Sequence, residues 1–294
     1  MHKPGLHAYE NDYKSYESSF VARLMLAVEI VVYAYVLGRV YDRYAGVIAS
    51  ALLGVNKLKL LAAQIVLRIQ GRRMSGDMCT SLGNGVTNLI IVKFLAAQKG
   101  GHVDALVEGD DGLFVTDFPL TASDFEKLGF IVEIHELITV YECHFCQLIM
   151  SEAKEMVKDP RRVFRTFGWT SSFIHAGPMI MDGLLRAKAM SLVYEMPQCP
   201  VIGVLARVAL ELTTGVNIRD DPNAYHRAPV GFVPVTFHPH PLTRLKFQDM
   251  YGISVDAQLK AEAAIVAHDM DTLSQIIPPT LTDLWYTETY LEVT

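Results

Sequence analysis

Asp110 and Asp111 stand side by side in Gly109-Asp110-Asp111-Gly112, between two short apolar runs, Val103–Glu108 and Leu113–Thr116. This arrangement predicts a β-hairpin with both acids at its tip. Adjacent carboxylates in a partly dry site repel unless a cation neutralises them, so the pair asks for a metal. An isolated Gly-Asp-Asp-Gly would serve equally well as a solvated turn, because Asp and Gly are common turn residues. Here a third acid, Asp12, closes an earlier extended segment. A sheet that brought Asp12 beside the hairpin would supply the third carboxylate of a two-Mg2+ site of the kind used for in-line phosphoryl transfer.

Between these acids runs Ser75-Gly76-Asp77-Met78-Cys79-Thr80-Ser81-Leu82-Gly83-Asn84-Gly85-Val86-Thr87-Asn88. Thr80, Asn84 and Asn88 recur every four residues and share one helical face, which is polar and uncharged. Hydroxyls and amides so placed suit a ribose, whose 2′-hydroxyl both donates and accepts. The plainer alternative is a helix whose asparagines face water, which leaves Gly83 and Gly85 as unexplained costs inside it.

The elements that must position these groups are legible in outline. The chain through Tyr13 reads as extended, a strand-to-helix turn falls near Asp12–Glu17, and Ser18 or Ser19 can cap a helix from Phe20. Leu24–Val40 reads as a buried helix; Glu29 and Gly38-Arg39 interrupt it, and no membrane-spanning segment is expected. Apolar residues with scattered charge follow over Leu58–Arg68, then a loop over Gly71–Gly76 and a helix over Thr80–Gln98. Thr121–Lys127 reads as a short helix with Thr121 or Ser123 as cap, with strands at Phe130–Ile134 and Ile138–Cys143. Helical periodicity dominates beyond Asp159-Pro160, broken by Pro222, Pro229, Pro234, Pro239 and Pro241, which sets a module boundary near Lys158. The final helix, Ser254–His268, carries Val255, Leu259, Ala263 and Val266 on one side and Asp256, Lys260 and Glu262 on the other. The fold class is α+β.

With 294 residues, 51% of them hydrophobic, the chain can bury the cores of two packed modules, which excludes a disordered protein. A formal charge of −6 has the wrong sign for a protein that tracks a phosphate backbone over its whole surface, so any nucleic-acid site must be locally basic. Two clusters qualify, Arg68, Arg72 and Arg73 before the serine string and Arg161, Arg162 and Arg165 after Lys158, because guanidinium forks suit phosphate oxygens. Four cysteines make no disulfide framework and favour a reducing compartment. Cys143-His144-Phe145-Cys146 lacks the second paired cluster that a structural zinc site needs. Asp220-Asp221, just before Pro222, reads as a solvated loop, and Phe237–Pro241 as a rigid surface loop.

Taken together, these strings resemble the A, B and C motifs of RNA-dependent RNA polymerases of positive-strand RNA viruses, tombusvirus-like and nodavirus-like in flavour. The order and spacing agree. The family's first motif is Asp, four residues, Asp; here Asp12 keeps the first acid and Glu17 stands at the second. The resemblance implies Asp12, Asp110 and Asp111 as catalytic metal ligands for Mg2+, with Mn2+ as substitute. It implies Glu17, Ser75, Thr80 and Asn84 as ribose- and triphosphate-recognising groups. A reverse transcriptase would carry a bulky steric gate at Glu17 and a different hairpin, so ribonucleotides are the expected substrate. Leu128-Gly129-Phe130 is similar to the D motif, although neither Lys127 nor His135 falls cleanly on its general acid. Phe145-Cys146-Gln147 resembles the primer-supporting E motif, and likeness continues at Tyr251-Gly252-Ile253-Ser254, Gln258 and Glu262.

The fold so implied is a right-hand polymerase palm over 1–157, with a partial fingers insertion around 35–74, followed by a mainly helical thumb over 158–294. The implied partners are RNA template and product, ribonucleoside triphosphates, and an upstream fingers segment or other replicase components. The implied setting is a viral replication complex in the host cytoplasm. Arg72, Arg73, Arg161, Arg162 and Arg165 are the expected RNA-backbone contacts. A second reading, from a different class, is a non-catalytic RNA-binding or assembly fragment of a larger replicase, because the family's basic fingers segment precedes the first motif.

Overall fold

A computed structural model describes residues 5–60, 64–75, 77, 79–170, 172–220, 228–229 and 231–278. The chain divides into two compact units, Met1–Cys146 and Gln147–Thr294.

The first unit is built on a four-stranded antiparallel sheet of order β4-β5-β1-β6. Its strands are β1 (His7–Tyr13), β4 (Val103–Glu108), β5 (Asp111–Thr116) and β6 (Val132–Leu137). The period-2 pattern of β1 decides its faces. Tyr9, Asn11 and Tyr13 are buried on one side, while Asp12 on the other is exposed. The long helix α4 (Thr80–Lys99) belongs to the first face, where Ile91, Val92 and Leu95 join Tyr9, Tyr13, Phe114 and Phe125 in one core. Tyr13 and Tyr16 stack there with ring centroids 4.1 Å apart. The opposite face is covered near its edge by Ala8, Leu137 and Cys143. At the start of helix α5 (Ala122–Glu126), Thr121 is the cap residue, one of the two that the sequence offers, and Asp124 Oδ2 accepts from its N–H at 3.0 Å and its hydroxyl at 2.9 Å.

The segment between β1 and α4 departs from expectation. No serine caps the helix after Phe20: residues Tyr16–Ser19 form a 3-10 turn, and α1 (Ala22–Met25) begins without a side-chain cap. A π turn at Leu26–Ile30, α2 (Val31–Leu37), a 3-10 turn at Gly38–Val40 and α3 (Tyr41–Leu53) complete the run. Met25, Val28 and Glu29 are buried, but Val31, Tyr35, Val36, Val40, Tyr44 and Val47 are exposed, so this is not a buried helix beyond its first turns. By length and composition Ala22–Leu53 could cross a membrane, with a mean hydropathy of 1.7 in its most apolar window. The test is passed equally by core helices, and the charged Glu29 lies inside the run. Val55–Leu60 (β2) and Ile65–Gln70 (β3) pair as an antiparallel hairpin that the scattered charge of this stretch concealed. The strand expected at Ile138–Cys143 is instead a 3-10 turn, Val140–Glu142.

The second unit opens with a short hairpin, β7 (Ile149–Met150) and β8 (Met156–Val157). Residues 147–157, placed with the first module by sequence, thus cluster with the helices that follow. These are α6 (Pro160–Thr166), α7 (Pro178–Glu195), α8 (Ile202–Leu212), α9 (Pro241–Tyr251), α10 (Val255–Ala267) and α11 (Met270–Ile276). Asp159 caps α6 by accepting from the Arg161 backbone N–H, with Pro160 at the first helical position. Helix α10 is rotated from the sequence expectation. Leu259 and Val266 are exposed, while Gln258, Ala261, Glu262, Ala264 and Ile265 are buried. The reason is polar satisfaction: Arg244 donates to both Glu262 oxygens, at 2.8 and 3.0 Å, and Glu262 also accepts from the Val201 N–H. A carboxylate so paired can be buried, and its face goes inward with it. Antiparallel sheets with mixed helices agree with the α+β class.

Candidate functional site

The site is set by the register of β1 and β5. Asn11 pairs with Gly112, and continuing that register places Asp12 across from Asp111. Alternation then puts both carboxylates on the face opposite α4. Asp110 is exposed between β4 and β5, and Asp111 is half-buried as the first residue of β5. Burial raises the Asp111 carboxyl above the ordinary carboxylate range, and repulsion from Asp110 and Asp12 raises it further. The Cys146 N–H opposes this by donating to Asp111 Oδ2 at 3.2 Å. Among the described residues no three His, Cys, Asp or Glu side chains stand together as a ready metal cage.

The hairpin tip is held from below by amides. Asn11 Nδ2 donates to the Asp110 carbonyl at 3.1 Å, and Asn88 Nδ2 donates to the same oxygen at 3.1 Å and to the Asp111 carbonyl at 3.4 Å. Two side chains therefore replace the strand partners that a tip lacks. Close approach of α4 to the tip favours glycine: a Cβ on Gly85 would lie 3.3 Å from the Gly109 nitrogen, which would have to give by a few tenths of an ångström. The two helix glycines that looked costly are thus accounted for by packing, Gly83 in the same way against Arg73 and Glu29.

Glu17 and Asn84 meet at the start of α4, where Asn84 Nδ2 donates to Glu17 Oε1 at 3.3 Å. Tyr16 donates its hydroxyl to the Asn84 carbonyl at 3.3 Å. Asn84 Oδ1 is buried with no donor among the described residues. Thr80 Oγ1 donates to the Met74 carbonyl at 3.0 Å, closing the loop that carries exposed Ser75. Gly76 and Met78 of the same string lie outside the described residues. Asn11, Tyr13 and Tyr16 were missed by sequence; a polar Asn on the buried face of β1 is the signal that would have found the first.

The basic residues divide. Arg73 is 4% exposed and bound to Glu29 and Cys79, so it is not available to an RNA backbone. Arg72 is exposed and donates to the Ser18 carbonyl at 2.9 Å. In the second unit Arg161 donates to the Tyr251 carbonyl at 3.2 Å. Arg162 and Arg165 are exposed there and, with Gln147, Lys158 and Lys188, line a groove of about 350 Å3. Phe145 packs against the Ala8–Leu137–Cys143 cluster, and Cys146 and Gln147 both adopt left-handed backbone. Burial, followed by the nearby Glu10 carboxylate, pushes the Cys143 thiol up to about 12. Asp221 and Pro222, of the second acidic pair, lie outside the described residues.

A comparison with curated proteins finds no match. Residues 62–167, which include the serine string, the Asp110-Asp111 hairpin and Arg162, match the family of viral RNA dependent RNA polymerases, and this supports a viral RNA-directed RNA polymerase.

Proposed function

We propose that this chain carries out template-directed RNA synthesis in viral RNA replication, with its first unit as polymerase palm and its second as thumb. The reaction is ribonucleotidyl transfer: an RNA 3′-hydroxyl attacks the α-phosphate of a ribonucleoside triphosphate. The new O3′–phosphorus bond forms as the bond to pyrophosphate breaks, and the hydroxyl proton is released. The observation that carries this reading is the convergence of Asp12 and Asp111 on one sheet face beside Asp110, where burial first and repulsion from Asp110 and Asp12 second hold the Asp111 carboxyl above its ordinary range.

Three hard oxygen donors with unrelieved like charge fit a divalent cation such as Mg2+ or Mn2+. Asp12, Asp110 and Asp111 would hold it. When bound, such ions supply activation of the attacking hydroxyl and stabilisation of the leaving pyrophosphate. The chain's own groups supply orientation. Asn11 and Asn88 fix the backbone under the acids, which lowers the reorganisation needed when substrate arrives. Asn84 offers a buried acceptor without a donor, and Glu17 beside it offers a second; the hydroxyl of a ribose can satisfy both. Arg72, Arg162 and Arg165, all exposed, are the groups that would contact phosphates.

The experiment is incorporation of labelled ribonucleotide on a defined RNA template, by the chain alone and with an upstream fingers segment supplied. Incorporation that requires both template and Mg2+ is expected. RNA binding with no incorporation by either preparation would favour the assembly-fragment reading instead.

A further inference from the structure

A second charged pair lies behind the proposed site and belongs to none of its roles. Glu29 and Arg73 form a salt bridge with side chains only 2% and 1% exposed. Glu29 sits within the π turn Leu26–Ile30 that interrupts the α1–α2 run. Single π turns widen a helix locally, and they recur at functional sites.

Arg73 touches three elements at once. One guanidinium nitrogen binds the Glu29 carboxylate, and the other donates to Cys79 Sγ at 3.1 Å. The guanidinium carbon stands 5.0 Å from the Phe20 ring centroid. Cys79 is the residue that caps α4, and it makes no side-chain cap bond of its own. One turn later Gly83 leaves room for the pair: a Cβ there would fall 2.4 Å from Arg73 Nη2 and 2.6 Å from Glu29 Oε2. The pair is therefore held against Phe20, the N-cap Cys79 and the first turn of α4.

Stability alone does not account for such a pair. Desolvating two charges offsets most of their attraction, and apolar residues of similar volume commonly hold a core as well or better. What an ion pair with two further contacts provides is a single geometry. We infer that Glu29 and Arg73 are positioning residues, which fix the N-cap residue Cys79 and the first turn of α4 and through them the orientation of Thr80 and Asn84. The inference rests on the reading of Thr80 and Asn84 as ribose-recognising groups.

The test compares the full chain with Arg73→Met/Glu29→Leu and with Arg73→Lys, by thermal melting and by amide hydrogen exchange without RNA or nucleotide. The double variant should melt within a few degrees of the parent while amides of residues 77–84 exchange about tenfold faster. Arg73→Lys keeps the charge but not the fork, and should give a smaller change in the same segment. In primer extension the double variant should raise KM for ribonucleotide with kcat little altered. Unchanged exchange over 77–84 in either folded variant would overturn the inference, and so would loosening spread evenly over the first unit. A parent that incorporates nucleotide, with an unchanged KM in the loosened variant, would also overturn it. Exchange is read without catalysis, so a parent that fails to incorporate would count against the polymerase reading and leave the exchange result to decide the pair.

Discussion

Tyr13 donates its hydroxyl to Asn88 Oδ1 at 3.1 Å inside the core of the first unit, tying the last residue of β1 to the middle of α4. Asn88 in turn donates to the carbonyls of Asp110 and Asp111. One buried amide thus connects the strand that carries Asp12 with the hairpin that carries the other two acids. Tyr13→Phe would remove the donor and leave Asn88 Oδ1 unpaired. The expected cost is about 1–3 kcal/mol in a denaturant titration. A loss indistinguishable from zero would mean that the amide finds another partner.

Asn84 is the residue on which sugar choice should turn. Asn84→Ala removes both the acceptor without a donor and the contact to Glu17. Competing ribonucleotide against deoxyribonucleotide in one reaction should show the preference falling by roughly tenfold or more, since an unpaired polar group in a dry site costs about 1–3 kcal/mol. Equal discrimination in parent and variant would make Asn84 structural.

The Asp111 carboxyl gives a pH dependence of definite sign. Its folded value lies above the ordinary carboxylate value, with burial as the first cause. The native state therefore holds this proton more tightly than the unfolded chain, and stability from this group falls as pH rises from the ordinary carboxylate range through the folded value. Asp111→Asn should melt higher than the parent at neutral pH without divalent ions, and the gain should vanish in acid. Mg2+ should stabilise the parent, by about 2.7 kcal/mol at a hundredfold excess over Kd, and the variant by much less. Equal Mg2+ effects on both would remove Asp111 from the site.

Exposed Arg162 should contribute to RNA affinity without sequence preference. Replacing it by Ala should weaken RNA binding and reduce the slope of log K against log salt by about 0.7 for single strands, the value for one lost phosphate contact. An unchanged slope would place Arg162 away from the RNA.

The parts of this architecture that were legible in sequence are those written in local chemistry. The acids at a hairpin tip, the Thr121 cap, the Asp159-Pro160 helix start and the polar stripe Thr80–Asn84–Asn88 each depend on residues within a few positions of one another. What escaped depends on distant partners. Glu29 served as an argument against a membrane span, yet its meaning lies in Arg73, which itself read as an RNA contact until its burial was seen. The face of α10 was misread because Glu262 looked like a surface acid, and only Arg244 explains its burial. The apolar residues of Leu24–Val40 predicted a buried helix, but hydropathy does not say whether a covering surface exists, and Tyr35 and Val36 are exposed.

The central claim is that Asp12, Asp110 and Asp111 act together in nucleotide addition. It is tested most directly by primer extension on a defined RNA template in Mg2+ at low salt, comparing the parent with Asp110→Asn. Both are assayed alone and with an upstream fingers segment supplied, and are matched for folding by circular dichroism. Because Asp110 is exposed at the tip and its backbone is held by Asn11 and Asn88, the substitution should leave the fold nearly intact. The parent should incorporate nucleotide in a template-dependent way, and the variant should lose this by a factor of at least about a hundred. Incorporation by Asp110→Asn at the parental rate would contradict the claim.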